Sequence, residues 1–114
     1  MHDADAEGND FFKCDFCRSV WSEDRPMIEG HKGSLICAPC LTLAHAELFA
    51  GEDAGELPNE HDACALCLMH KETMRHWRSP MDTEVLACRE CVVRAGVMLA
   101  KDPDFEWVPP TPAT

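Results

Sequence analysis

The sequence predicts a small α+β protein of two similar units, each a cysteine knuckle, a β-hairpin, a second knuckle and a short helix. Three observations carry this. Eight cysteines among 114 residues fall into four Cys-x-x-Cys pairs. Those pairs form an internal repeat: Cys14-x-x-Cys17 and Cys37-x-x-Cys40 recur as Cys64-x-x-Cys67 and Cys88-x-x-Cys91, offset by 50 residues at the first pair and 51 at the second. Apolar residues at helical spacing follow each second pair.

The elements follow in chain order. Residues 1–10, MHDADAEGND, are acidic and polar and predict a disordered tail. The first unit spans 11–50. Pro26 to Glu29 and Ser34 to Cys37 flank the turn Gly30-His31-Lys32-Gly33, whose glycines permit positive φ. Leu41, Ala44 and Leu48 then lie on one helical face, and Gly51 is placed to stop that helix. Residues 51–63, acidic and carrying glycine and proline, read as a linker. The second unit spans 64–101. Arg75 to Arg78 and Glu84 to Ala87 form its hairpin, Val92, Ala95 and Leu99 its helix face, and Pro103 lies just past the end. The extra residue of the second copy belongs in the hairpin turn. Residues 102–114 predict an extended proline-rich tail.

The cysteines require a metal. Zinc takes four tetrahedral ligands and accepts thiolates at ~2.3 Å. One knuckle supplies half a shell; a second, about twenty residues on, completes it once a hairpin reverses the chain. The expectation is two Zn²⁺ ions, one on Cys14, Cys17, Cys37 and Cys40, the other on Cys64, Cys67, Cys88 and Cys91. Each second knuckle falls at a helix start, where free N–H groups favour negative sulfur. Four protein ligands leave no open coordination position, so the sites are structural. His31, His45, His61, His70 and His76 are expected to be surface residues and not ligands.

No segment resembles an export signal or a membrane span, so a reducing cytoplasm is expected, where spaced cysteines hold metal. The net charge is −11. Eight thiolates and two zinc ions bring it near −15. That field repels phosphate backbones and argues against a general nucleic-acid binder. Only residues 64–101 are net positive, with a charge of +2. There His70, Lys71, Arg75, His76, Trp77, Arg78, Arg89 and Arg94 are the candidate basic face for an alternative nucleic-acid reading.

Both copies resemble the N-terminal zinc-binding domain of the unfoldase ClpX. The first gives Cys14-Asp15-Phe16-Cys17, Met27-Ile28-Glu29-Gly30, Leu35-Ile36-Cys37 and Cys40-Leu41; the second gives Cys64-Ala65-Leu66-Cys67, Val85-Leu86-Ala87 and Cys88-Arg89-Glu90-Cys91-Val92. The resemblance implies a treble-clef finger, and two fingers packed as an intramolecular pseudo-dimer through the two helix faces. It also implies recognition of substrate or adaptor proteins. Two departures matter. The family carries glycine after the first knuckle where this chain has Arg18 and Leu68, which predicts a strained backbone there. No phosphate-binding loop of the ATPase type occurs.

The resulting expectation is a non-catalytic module that binds a protein partner, as a monomer with pseudo-dimeric repeats or as a homodimer. Trp21, Met27, Leu48, Trp77, Leu99 and Trp107 are the candidate contacts, with Phe11, Phe12, Met69, Met74 and Met81 beside them. Each has an alternative place in the core. The Phe105 to Pro110 stretch is either an anchor for a partner or a strap on its own domain.

Overall fold

A computed structural model describes residues 12–51 and 53–110. The predicted tail over 1–10, Phe11 and the last four residues lie outside these. Each unit is a two-stranded antiparallel hairpin followed by a helix. The first has β1 (Met27–Glu29), β2 (Leu35–Cys37) and α1 (Ala38–Leu48). The second has β3 (His76–Arg78), β4 (Leu86–Cys88) and α2 (Arg89–Ala100).

The registers give the equivalences between units. Met27 pairs with Cys37 and Glu29 with Leu35; His76 pairs with Cys88 and Arg78 with Leu86. Ile28 and Trp77 are therefore equivalent, as are Glu29 and Arg78. These registers also correct the place of the extra residue. The hairpin loop grows by two, from residues 30–34 to 79–85, and the stretch from knuckle to strand shrinks by one, from 18–26 to 68–75.

The first turn closes with His31–Gly33, in which Lys32 has φ 54° and Gly33 φ 77°. Gly30 does not have positive φ. A Cβ there would meet the Leu66 carbonyl oxygen at 2.6 Å, so glycine serves close approach to the other unit. Both knuckles bend alike: Arg18 N–H donates to Cys14 O (2.9 Å) and Leu68 N–H to Cys64 O (2.8 Å). This bend puts Arg18 at φ 65° and Leu68 at φ 63°, the left-handed region that favours glycine, as expected.

Each helix opens on its own knuckle. Cys37 and Cys88 are N-caps, no side-chain hydrogen bond caps either helix, and Cys40 and Cys91 sit in the first turns. The predicted faces hold: Leu41, Ala44 and Leu48, and Val92, Ala95 and Leu99, are all buried. Gly51 does not end α1 in a left-handed conformation; the helix stops three residues earlier, at Leu48.

The two units pack on each other. Helix α1 lies against α2, and each helix also reaches the other unit's hairpin, α1 against β3 and α2 against β1. The result is one continuous core with a pseudo-twofold relation. Units of about forty residues bury too little apolar surface alone, which is why the faces are shared. The seam is tied at its ends. His31 N–H donates to Leu66 O (2.7 Å), and Ser79 Oγ donates to the equivalent Phe16 O (2.5 Å). Arg18 pairs with Asp82 at 3.0 Å, and the Arg89 guanidinium lies 4.3 Å from the Phe49 ring centre.

The connecting segment is not an open tether. Glu56 forms a β-bridge with His76 through two backbone bonds (2.9 and 2.8 Å), so it lines the outer edge of β3. Gly55, at φ 81°, presses against Leu48 and the His76 carbonyl, where a Cβ would lie 2.7 Å from that oxygen. Arg78 then clamps the segment by ion pairs to Glu56 and Asp62.

The C-terminal stretch straps the helix pair. Trp107 is buried, donates Nε1–H to Thr42 Oγ1 (2.9 Å), meets His45 edge-on at 5.8 Å and covers Gly96, whose added Cβ would lie 3.1 Å from the indole. Of the two readings of this stretch, the strap is the one the structure shows. No helix among the described residues is long and apolar enough to cross a membrane.

Candidate metal centres and the surfaces they support

The eight cysteines gather into the two predicted sets. In each, the four sulfurs lie within 4.8 Å of one another. A tetrahedron of ~2.3 Å zinc–sulfur bonds separates its sulfurs by about 3.8 Å. The Cys17–Cys37 and Cys67–Cys88 sulfurs are 3.6 and 4.0 Å apart. Both sets therefore already have the size of a zinc shell. No histidine or carboxylate joins either set among the described residues.

Backbone donors orient the sulfurs. Phe16 and Cys37 N–H groups point at Cys14 Sγ, both at 3.4 Å, and Leu66 and Cys88 N–H groups point at Cys64 Sγ, at 3.4 and 3.3 Å. The four sulfurs of a set cannot all ionise side by side without a cation. Hydrogen bonds from Cys14 and Cys40 hold Cys37 down at about 4, while sharing protons with Cys14 and Cys37 pushes Cys40 far up. Cys88 and Cys91 split in the same directions, each through Cys64 first. Zn²⁺ resolves the conflict by replacing the shared protons. The donor set fits it, and the two four-cysteine groups are compatible with two zinc ions.

Each set also has one cation beside it, which the sequence reading missed. Arg25 Nη1 lies 3.6 Å from Cys37 Sγ, and Lys71 Nζ lies 3.5 Å from Cys88 Sγ. A zinc ion held by four thiolates carries a net charge of −2, so a neighbouring cation stabilises it. The hydrogen bond to Cys37 raises the Arg25 pKa. Burial opposes the charge of Lys71, but Cys88 and Cys67 outweigh it and raise its pKa. The two cations act on equivalent cysteines from non-equivalent positions, so no repeat signal could reveal them.

The proposed contact residues divide. Leu48, Trp77, Leu99 and Trp107 are buried in the shared core, which corrects their assignment to a partner surface. They cover the seam between units instead. Trp21 and Met27 are half-buried and, with Phe12, Glu29 and Leu35, line a hollow of about 280 Å³ beside β1. The basic face of the second unit is engaged internally. His76 and Trp77 are buried, Arg78 holds Glu56 and Asp62, Arg94 pairs with Glu90, Arg75 with Asp53, and Lys71 with Cys88 and Glu90. A stacking Trp and free cations are what the nucleic-acid reading needed.

A second depression breaks the twofold relation. On one side Trp77 packs against Phe16 at a tilt of 34°, ring centres 5.4 Å apart. The equivalent pair on the other side is Ile28 and Leu66, and these smaller side chains leave a groove of about 400 Å³ between the first hairpin and α2. Met69, Ala95 and Met98 complete its apolar lining. The two methionines are more than half or half exposed, at 57% and 50%. Only the strand registers show that Ile28 and Trp77 correspond.

Compared with known proteins, residues 13–50, about a third of the chain, match the family model of the ClpX C4-type zinc finger. The match spans the knuckles, hairpin and helix of the first unit. The second repeats its cysteine set and its order of elements. No curated protein and no solved structure matches the chain.

Proposed function

We propose that the chain is a non-catalytic protein-interaction module, adaptor-like or substrate-recognition-like, and that it binds a partner in the groove between the first hairpin and α2. The observation that supports this is the broken symmetry. Trp77 and Phe16 close one side of the seam, and Ile28 and Leu66 leave the other open with exposed methionines around it. Methionine adapts to varied apolar partners, and an open apolar groove is a common docking feature. Closed four-cysteine shells leave the metal no position for substrate, which supports a scaffold role for the zinc. The likeness to the ClpX-type finger points the same way.

Photo-crosslinking in the native cell tests the reading. A crosslinker at Met98 is expected to trap discrete protein partners, and one at Met81, exposed but outside the groove, is not. Ile28→Trp mirrors Trp77, fills the groove and removes the Met98 adducts while the fold stays intact. Equal adducts at both sites, or adducts with nucleic acid, would sink the reading.

A further inference from the structure

Two ligands of the second metal centre line the groove between the first hairpin and α2: Cys67, which is half-buried, and Cys91. Lys71 lines it too, with its ammonium 3.5 Å from Cys88 Sγ. One wall therefore serves both the groove and the second cysteine set. The first set is placed differently. Cys17, the counterpart of Cys67, is half-buried as well, but on its side of the seam the buried Trp77 and Phe16 fill the position that Ile28 and Leu66 leave open. A small solute that enters the groove meets ligands of the second centre and not of the first.

Thiolate is the reactive form of cysteine, and oxidation follows thiolate character and access. A cysteine that ligates zinc has given up its proton. Cys67 meets both conditions. It also has neighbours able to trap its first oxidation product, because the four sulfurs of its set lie within 4.8 Å of one another.

We propose that Cys67 is a site of oxidation by hydroperoxides, reached through the groove, and that its oxidation dismantles the second metal centre. The Cys67 thiolate attacks one peroxide oxygen. A sulfur–oxygen bond forms, the oxygen–oxygen bond breaks, and the other oxygen leaves as hydroxide, which solvent protonates to water. A second thiolate of the set then attacks the sulfenic sulfur. A disulfide forms, and the remaining oxygen leaves as a second hydroxide, again protonated to water. Two thiolates have lost two electrons and the peroxide has gained them. The two sulfurs that remain are too few for a closed four-cysteine shell. Because both units share one core, the groove is lost with the shell. Under the docking reading above, peroxide thereby releases the partner, while the chemistry at Cys67 stands independently of that reading.

The test uses the full zinc-loaded chain and hydrogen peroxide at less than one equivalent. A chromogenic chelator follows released zinc, and differential alkylation with mass spectrometry maps the oxidised cysteines. The first disulfides formed are expected to contain Cys67, with the first cysteine set still reduced. Ile28→Trp and, from the opposite wall at an exposed position, Met98→Trp are each expected to slow Cys67 oxidation about fivefold or more by narrowing access. Neither is expected to change the rate at Cys17. Circular dichroism and zinc content before peroxide establish that each variant is folded and loaded. The proposal is overturned if Cys17 and Cys67 oxidise at the same rate, if neither tryptophan slows Cys67, or if Cys67 oxidises without zinc release. Oxidation of Met69 and Met98 with every cysteine still reduced overturns it equally. The crosslinker at Met98 separates the two readings. Partner adducts are expected to disappear on peroxide treatment, and adducts that persist once Cys67 is oxidised contradict the loss of the groove. Adducts absent before peroxide sink the docking reading alone.

Discussion

Arg18 and Leu68 occupy left-handed backbone that costs a side-chain-bearing residue roughly 1 kcal/mol, yet the knuckle bend requires it in both units. Arg18 has an ion pair with Asp82 to offset the strain; Leu68 is an apolar side chain 45% exposed. Leu68→Gly is therefore expected to stabilise the protein by up to about 1 kcal/mol, and Leu68→Val to destabilise it by a similar amount. Thermal unfolding of the zinc-loaded chain reads both. An unchanged melting temperature in both variants would contradict the strain. Lys71 poses a residue-scale question of a different kind. Removing its ammonium from Cys88 by Lys71→Met is expected to weaken zinc retention at the second site about tenfold or more, with the first unaffected. Competition with a chelator measures the difference, and equal loss at both sites would count against a local effect. The positions of Arg18 and Leu68 were legible because each directly follows a knuckle. Lys71 and Arg25 were not, because their partners are set by the path of the intervening chain.

The elements that carry the ligands were the most legible part of the fold. A knuckle, a reversal and an apolar helix face have local signals, and all six elements formed where those signals lay. The connecting segment and the C-terminal stretch were harder, because their partners are distant in sequence. Glu56 finds His76 and Trp107 finds Thr42, neither of which any periodicity links. The strap gives a prediction at this scale. Trp107→Ala is expected to cost about 3 kcal/mol or more, the usual penalty for removing a buried large aromatic. Gly96→Ala is expected to weaken the strap more mildly, by displacing the indole from its 3.1 Å approach. Denaturant unfolding followed by tryptophan fluorescence reads both. His45 adds a pH dependence. Burial first, and Arg89 next, hold its pKa below the ordinary value. The folded state therefore binds fewer protons than the unfolded one. This contribution to stability is complete above the unfolded pKa of ~6.5 and diminishes as pH falls below it. Comparing His45→Gln with the unmodified chain between about pH 7.5 and 5.5, a window bracketing that unfolded value, with zinc content measured at each pH, isolates that term. Identical pH profiles would contradict it.

Across the whole molecule the two metal centres and the single core are one system. Trp77 of the second unit packs on Phe16 of the first knuckle, and each helix contacts the other unit's hairpin. Neither unit holds a separate core, so zinc at one site stabilises a surface the other needs. Structural zinc contributes on the order of 10 kcal/mol in small folds, more than either half could replace by burial. The cysteine spacing announced two sites; the sharing of one core depends on helix faces meeting across the pseudo-twofold, which spacing alone does not reveal. The most direct test is a zinc titration of the metal-free chain, with near-ultraviolet circular dichroism and tryptophan fluorescence recorded together. The account predicts one cooperative transition, complete at two zinc ions per chain, with native signal appearing only as both sites fill. Two independent steps, a native signal from one unit at a single equivalent, or a folded chain without zinc would contradict it.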